Sequence, residues 1–295
     1  MRSGVGFFSS IAIAGGLLAC GTPSIRPAEG DGGGPLGPTL DMGKLSDGGA
    51  SMELPGNAPK CTDVQPPSKL DIGPTVNVSA GTFPMGCNAA TDLECRADEK
   101  PQHNVTLPAF DIDKTEVTQA QYLACVKAGK CTYPKCPWDP CAQPDIPIAC
   151  VKHAQALDYC SWAGKRLPSE AEWEKAARGT DGRKFPWGNA PITCDLANMN
   201  GCGDTRWSVG SKPMNASPYG ALDMAGNVVE WTNDFYDPGY YAVSPPSAPV
   251  GPKDGTEYCG RGGGFKSDPI WHCTGSRDLY EPPYIKVSMG FRCAK

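Results

Sequence analysis

Gly164-Lys165-Arg166-Leu167-Pro168-Ser169-Glu170-Ala171-Glu172-Trp173-Glu174 carries the clearest local signal in this 295-residue chain. Pro168 disfavours a helix interior, and Ser169 with Glu172 three residues later forms a capping box, so a helix opens here. Trp173, Ala176 and Ala177 then face a core, and Glu174 can pair with Arg178 one turn on. Just upstream, Lys152 to Ala163 puts Ala156, Cys160 and Ala163 on one stripe and ends at Gly164, which predicts a second short helix. Thr118 and Gln121 make a further capping box, with Tyr122, Cys125 and Val126 on one face and Gly129 to close that helix. The rest is punctuated by Gly and Pro and reads as short strands and long loops. The class is therefore α+β, irregular and loop-rich.

Three more blocks follow in order: Phe185-Pro186-Trp187-Gly188-Asn189, Gly226-Asn227-Val228-Val229-Glu230-Trp231 and Gly290-Phe291-Arg292-Cys293. With Met85-Gly86 and Thr115-Glu116-Val117-Thr118 upstream, the set resembles the formylglycine-generating enzyme, or sulfatase-modifying factor, family over roughly residues 78–295. The resemblance implies an irregular, disulfide-held fold similar to C-type lectin-like domains. It also implies a bridge between Cys160 and Cys293. A second bridge common in the family is absent, since its positions hold Ala177 and Thr274. Trp173, Trp187 and Trp231 read as core anchors, and Arg166 and Arg292 as ties between loops.

Activity in the family rests on two cysteines in the pattern Gly-Gly-Ser, aromatic, any residue, Cys, three residues, Tyr, Cys. Here the stretch is Gly262-Gly263-Gly264-Phe265-Lys266-Ser267-Asp268-Pro269-Ile270-Trp271-His272-Cys273. Aligned without a gap, Ser267 and His272 stand at the two cysteine positions and Cys273 lies one residue beyond. Active relatives hold Cu(I) between two thiolates, and a neutral serine hydroxyl is too hard a ligand to replace one. Copper chemistry is therefore not expected. Cys273 reads either as a redox thiol or as the disulfide partner of Cys259.

The resemblance implies calcium instead, with main-chain oxygens of Asp223, Gly226 and Val228 and the carboxylate of Glu230. Such a set suits an ion that takes six to eight oxygens from irregular loops. Glu230 could equally pair with an arginine. A second implied calcium site falls on Asn198, Met199 and Asp204, in a shorter loop than the family's.

The chain has fifteen cysteines and begins with Arg2, an apolar run from Phe7 to Ala19 and then Leu17-Leu18-Ala19-Cys20. The run is too short to cross a bilayer and reads as a lipoprotein export signal, residues 1–19, cleaved before a lipid-modified Cys20. Gly21 after that cysteine points to the outer membrane where a cell has two. The fourteen other cysteines are an even number and suit a disulfide framework in an exported chain. Cys87 with Cys95, and Cys194 with Cys202, are close enough to close local loops. Cys131, Cys136 and Cys141 could alternatively bind zinc, although their five-residue spacing is not that of a zinc knuckle.

Residues 20–60 lack aromatic residues and are rich in Gly, Pro, Asp and Ser, the composition of a disordered linker. As a flexible coil it would span ~35 Å. Residues 61–295 are long enough for one core and form the family domain. A net charge of −5 argues against nucleic acid as a partner. Two functions from different classes follow: an anchored module that binds an envelope protein or peptide, and an oxidoreductase acting on a protein cysteine. Calcium-dependent carbohydrate binding is a third.

Overall fold

The computed structural model describes residues 72–90, 95–281 and 286–295. The export signal, Cys20, the linker and Cys61 lie outside these residues. The fold begins with two antiparallel pairs: β1 (Thr75–Val78) with β4 (Phe110–Asp113), and β2 (Gly81–Met85) with β3 (His103–Leu107). Three helices follow, α1 (Gln119–Lys127), α2 (His153–Trp162) and α3 (Glu170–Arg178). The chain ends in a four-stranded sheet ordered β7-β6-β5-β8, from β5 (Val229–Phe235), β6 (Tyr258–Arg261), β7 (Asp278–Tyr280) and β8 (Met289–Gly290). The short β8 pairs parallel to β5 and brings the C-terminus into the core.

Both capping boxes form. Thr118 Oγ1 accepts from the Gln121 amide at 3.2 Å, and Ser169 Oγ accepts from the Glu172 amide at 3.2 Å. α2 starts from Lys152, whose amide is capped by the Gln155 side chain. Beyond its first turn α3 departs from expectation. Its nine residues are all buried, including Glu170, Glu174, Lys175 and Arg178, so it has no solvent face. Lys175 Nζ donates to the carbonyls of Ser79 and Gly81, and Arg178 to those of Pro84 and Gly86, which ties α3 to β2.

Two apolar clusters make up the main core, and α3 belongs to the second. One gathers Tyr122, Ile148, Tyr159, Trp231, Phe291 and the Cys160–Cys293 bridge; the other gathers Phe83, Ile112, Trp173, Ala176 and Met224. Trp173 and Trp231 are core anchors, whereas Trp187 is only partly buried and stacks on Phe185 at a small satellite cluster.

Five disulfides join described residues: Cys87–Cys95, Cys125–Cys131, Cys136–Cys150, Cys160–Cys293 and Cys194–Cys202. Cys141 and Cys273 are also disulfide-bonded. Zinc at Cys131, Cys136 and Cys141 is thereby overturned, because all three sulfurs are committed. The pairing of Cys259 with Cys273 is likewise corrected, since Cys259 is a free, buried thiol. The physical reason is topological. Cys259 on β6 faces α3 and donates to Glu170 Oε1 at 2.9 Å, while Cys273 lies in the satellite cluster with Phe185 and Ile192. The abundance of disulfides fits an exported protein.

Candidate functional site

Three features meet where β5 begins: the stretch Gly262–Cys273, the loop Asp223–Glu230 and the loop closed by Cys194–Cys202. Gly262 and Gly263 both have positive φ, 90° and 67°, and turn the chain tightly after β6. The Ser267 carbonyl accepts from the Asn200 amide at 3.0 Å, and Asn200 Nδ2 donates to Asp268. The disulfide loop therefore lies directly on the degenerate redox stretch.

The redox stretch offers no thiolate pair. Ser267 Oγ accepts from the Gly264 amide at 3.0 Å and serves as a turn residue. His272 is fully buried in a short 3-10 turn, Pro269–His272, with Nδ1 3.0 Å from the Asp268 carbonyl and Nε2 unpartnered. Burial lowers its pKa to about 4, against the raising effect of that carbonyl, so the ring is neutral near pH 7. Cys273 is oxidised in a disulfide. The cavity beside Ser267, bounded by Val229, Gly262, Gly263 and Trp271, has a volume of ≈ 10 Å³, room for about one water. Cu(I) does not fit this donor set, which holds one hydroxyl, one imidazole and no available thiolate. The free thiol, Cys259, is no substitute. Burial and the nearby Glu170 carboxylate push its pKa well up, against Arg277 and Arg261, so it is a closed, neutral thiol.

The calcium residues present a different picture. Glu230 is engaged: both its oxygens accept from Arg292 at 2.7 Å, and Oε2 also accepts from Trp173 Nε1 at 2.7 Å. Asp223 accepts through its side chain from the Gly210 amide and from Asn215 Nδ2. Asp223 and Asn227 both have positive φ, 58° and 67°, rare for non-glycine residues and common where a loop is shaped for function. Asn198 is stitched to this same loop, since its carbonyl accepts from the Asn227 amide at 2.9 Å. Gly226 permits that approach, because a Cβ there would lie 2.5 Å from the Asn198 oxygen. Met199 turns toward the satellite cluster with its carbonyl bonded to the Cys202 amide, and Asp204 is exposed.

Glu116 is the residue that sequence reasoning missed. It lies in one of the blocks that carry the resemblance, yet it has no evident role as a letter between Thr115 and Val117. In the fold it is 1% exposed, and neither carboxylate oxygen has a partner. Burial, then Asp223 and Glu230, push its pKa well up, against Arg292. Asn198 Oδ1 is a second buried oxygen without a partner. Orphaned hard oxygens are the donors calcium takes, and Glu116 lies near Asp223 and Glu230 while Asn198 is bonded to Asn227 of the same loop, so either could serve an ion there together with main-chain carbonyls. Among the described residues no three His, Cys, Asp or Glu side chains converge as a metal cluster, so an ion here would depend on main-chain and amide oxygens as well as Glu116.

Because Glu230 is held by Arg292 and Trp173, changing it would destabilise the fold with or without an ion. Glu116→Gln discriminates better. Without calcium it should change thermal stability by less than about 1 kcal/mol, because burial and the nearby Asp223 and Glu230 already favour the neutral carboxyl, and Gln buries an amide in its place. With millimolar calcium it should cost stability, because a ligand carboxylate is lost. An equal effect in both conditions, read by calorimetry, would remove the case for an ion at Glu116.

Residues 60–295 match the family described as "Sulfatase-modifying factor enzyme 1-like domain". The formylglycine-generating enzyme of Streptomyces coelicolor is 31% identical over 277 residues, covering 74% of this chain and 88% of that protein. Hercynine oxygenase of Mycolicibacterium smegmatis is 33% identical over 194 residues, covering 55% of this chain but 45% of that enzyme. Among solved structures, PvdO from Pseudomonas aeruginosa superposes with a TM-score of 0.65 at 28% identity, covering 75% of this chain and 93% of that one. The motif order, the fold and these relatives together place this chain in the sulfatase-modifying-factor family, that of the formylglycine-generating enzymes.

Proposed function

We propose that this chain is an exported protein, anchored through lipid at Cys20, whose family domain acts as a binding or assembly module for an envelope protein or peptide and not as a copper oxidase. One observation carries the reading: the redox stretch supplies Ser267, a buried neutral His272 and a disulfide-bonded Cys273, with about one water's worth of space beside them. A fold of this kind hosts unrelated functions, so membership alone does not carry activity. Calcium, on this reading, is structural and holds the loop Asp223–Glu230 against Asn198.

The second reading, a formylglycine-generating oxidoreductase acting on a protein cysteine, is favoured by the 31% identity to such an enzyme. One assay separates the two. Purified protein given Cu(I), oxygen, a thiol reductant and a cysteine-containing sulfatase peptide should leave the peptide mass unchanged. Ser267→Cys should not restore turnover, because His272 and the disulfide at Cys273 still deny a second thiolate. Conversion by the wild-type chain that is lost in Cys273→Ala would establish the oxidase and end the binding-module reading.

A further inference from the structure

The disulfide-rich stretch between α1 and α2 has no part in the site above, yet it is tightly built. Cys125–Cys131 closes the end of α1, and Cys136–Cys150 closes the loop that leads to α2. Gln155 joins the two segments: its Nε2 donates to Thr132 Oγ1 at 2.8 Å and to the Tyr133 carbonyl at 2.9 Å, while its Oε1 caps the Lys152 amide at 2.9 Å. The Lys135 amide donates to the Cys150 carbonyl at 3.1 Å. These bonds hold residues 132–135 against residues 150–155, so Lys130, Lys135 and Lys152 sit on adjoining segments. All three are exposed, and none is ion-paired among the described residues. Tyr133 and Trp138, in edge contact at 6.3 Å, are partly exposed beside them. Asp139, held in a turn by the Cys141 and Ala142 amides, keeps its negative charge, and the exposed carboxylates of the same stretch and of α2 are Asp145 and Asp158. Three exposed lysines without ion pairs, beside two aromatic rings, on a chain of net charge −5 call for an explanation.

The direction from which the chain arrives supplies one. Ile72 packs on the apolar cluster that contains Tyr122 and Cys125, and its carbonyl accepts from Lys165 Nζ. A Cβ on Gly73 would lie 2.9 Å from Gln121 Nε2, so the incoming backbone runs against α1. The segment that leads back to Cys20 therefore joins the fold beside the first turn of α1, the helix whose other end leads to Lys130. Resting on the lipid-anchored reading, we infer that the face formed by Lys130, Lys135 and Lys152 with Tyr133 and Trp138 docks on the anionic headgroups of the membrane that holds the anchor. Lysines near an anionic surface add attraction, and aromatic side chains with a polar edge suit the headgroup layer. The anchor keeps the face close, so a weak contact suffices to orient the domain.

The test uses the mature chain beginning at position 20 with Cys20→Ser, so that no lipid contributes. It should co-float with vesicles containing phosphatidylglycerol, fail to float with pure phosphatidylcholine, and detach in high salt. Lys130→Gln, Lys135→Gln and Lys152→Gln should each weaken binding about fivefold, and the triple variant about a hundredfold. These exposed positions should leave the melting temperature unchanged. Equal flotation on neutral and anionic vesicles, or a triple variant that binds as well as its parent, would overturn the proposal. So would salt-sensitive self-association through this face without vesicle binding, because the occupant would then be a second copy. The anchor reading is tested separately by acyl labelling of the native chain. Loss of label with vesicle binding intact would remove the anchor and leave the docking face standing.

Discussion

Replacing Cys160 and Cys293 together by Ala should lower the unfolding free energy by about 5 kcal/mol, the loop-entropy value for a closed loop of 133 residues. For a domain of this size that is a fall in melting temperature of roughly 10–20 °C. The mechanism acts mainly on the unfolded chain, since the bridge ties α2 to the last residues and with them to most of the fold between. Cys194 and Cys202 close a loop of only 8, and the same relation gives about 2.5 kcal/mol for their double replacement. Comparing the two double variants by calorimetry checks the account. If both lose the same stability, loop entropy is not the main contribution of the long bridge, and local packing in its buried surroundings is.

The C-terminal block shows why that bridge matters to the candidate site. Arg292, next to Cys293, reaches Glu230 with two hydrogen bonds of 2.7 Å and also takes the Asp113 and Leu222 carbonyls. Ala294 bridges to Ile112 and to Arg166. The last five residues thus cross between the strands and the loop that carries Asp223. Loosening them frees Glu230 and shifts the Arg292 charge that offsets Glu116.

What could be read from the letters was what a few neighbouring residues decide. The capping boxes at Thr118 and Ser169 involve side chains that reach three residues, and they appear where the pattern puts them. Cys160–Cys293 was legible only through family resemblance, because no local rule links positions so far apart. The interior of α3 was not legible. Glu170, Glu174 and Arg178 look like a polar face, and their burial depends on Arg261 and Arg277, which arrive from β6 and from just before β7. Cys259 went astray for the same reason: its neighbour is Glu170 on α3, not the cysteine nearest in sequence. Glu116 needed the fold as well, since an unpartnered carboxylate is defined by what fails to surround it.

The buried charges around α3 carry the other large effect. Arg277 donates to Glu170 through Nε at 2.6 Å and Nη2 at 3.0 Å, and to the Asp98 carbonyl through Nη1 at 2.9 Å. Arg261 donates to Glu170 at 3.3 Å and also to Glu174, which pairs with Arg178 at 3.0 Å. Burial alone would raise the Glu170 carboxyl, but Arg277 and Arg261, with hydrogen bonds from Arg277 and Cys259, bring it down to about 2. A folded pKa below the unfolded value means stabilisation that is present above about 4.5 and is lost as pH falls toward 2. Arg277→Met removes the main partner and leaves a buried carboxylate under-compensated, at a cost of about 3–5 kcal/mol near neutral pH. That cost should shrink toward pH 3, where Glu170 in the variant takes up a proton more readily than in the parent. Adding Glu170→Met should recover much of the loss at neutral pH, since an apolar pair of similar volume replaces a broken ion pair. Chemical denaturation of the parent and both variants between pH 3 and 7 measures all three outcomes. A cost below about 1 kcal/mol, or one that does not change with pH, would show that the Glu170 carboxylate does not depend on Arg277 and that Arg261 alone compensates it.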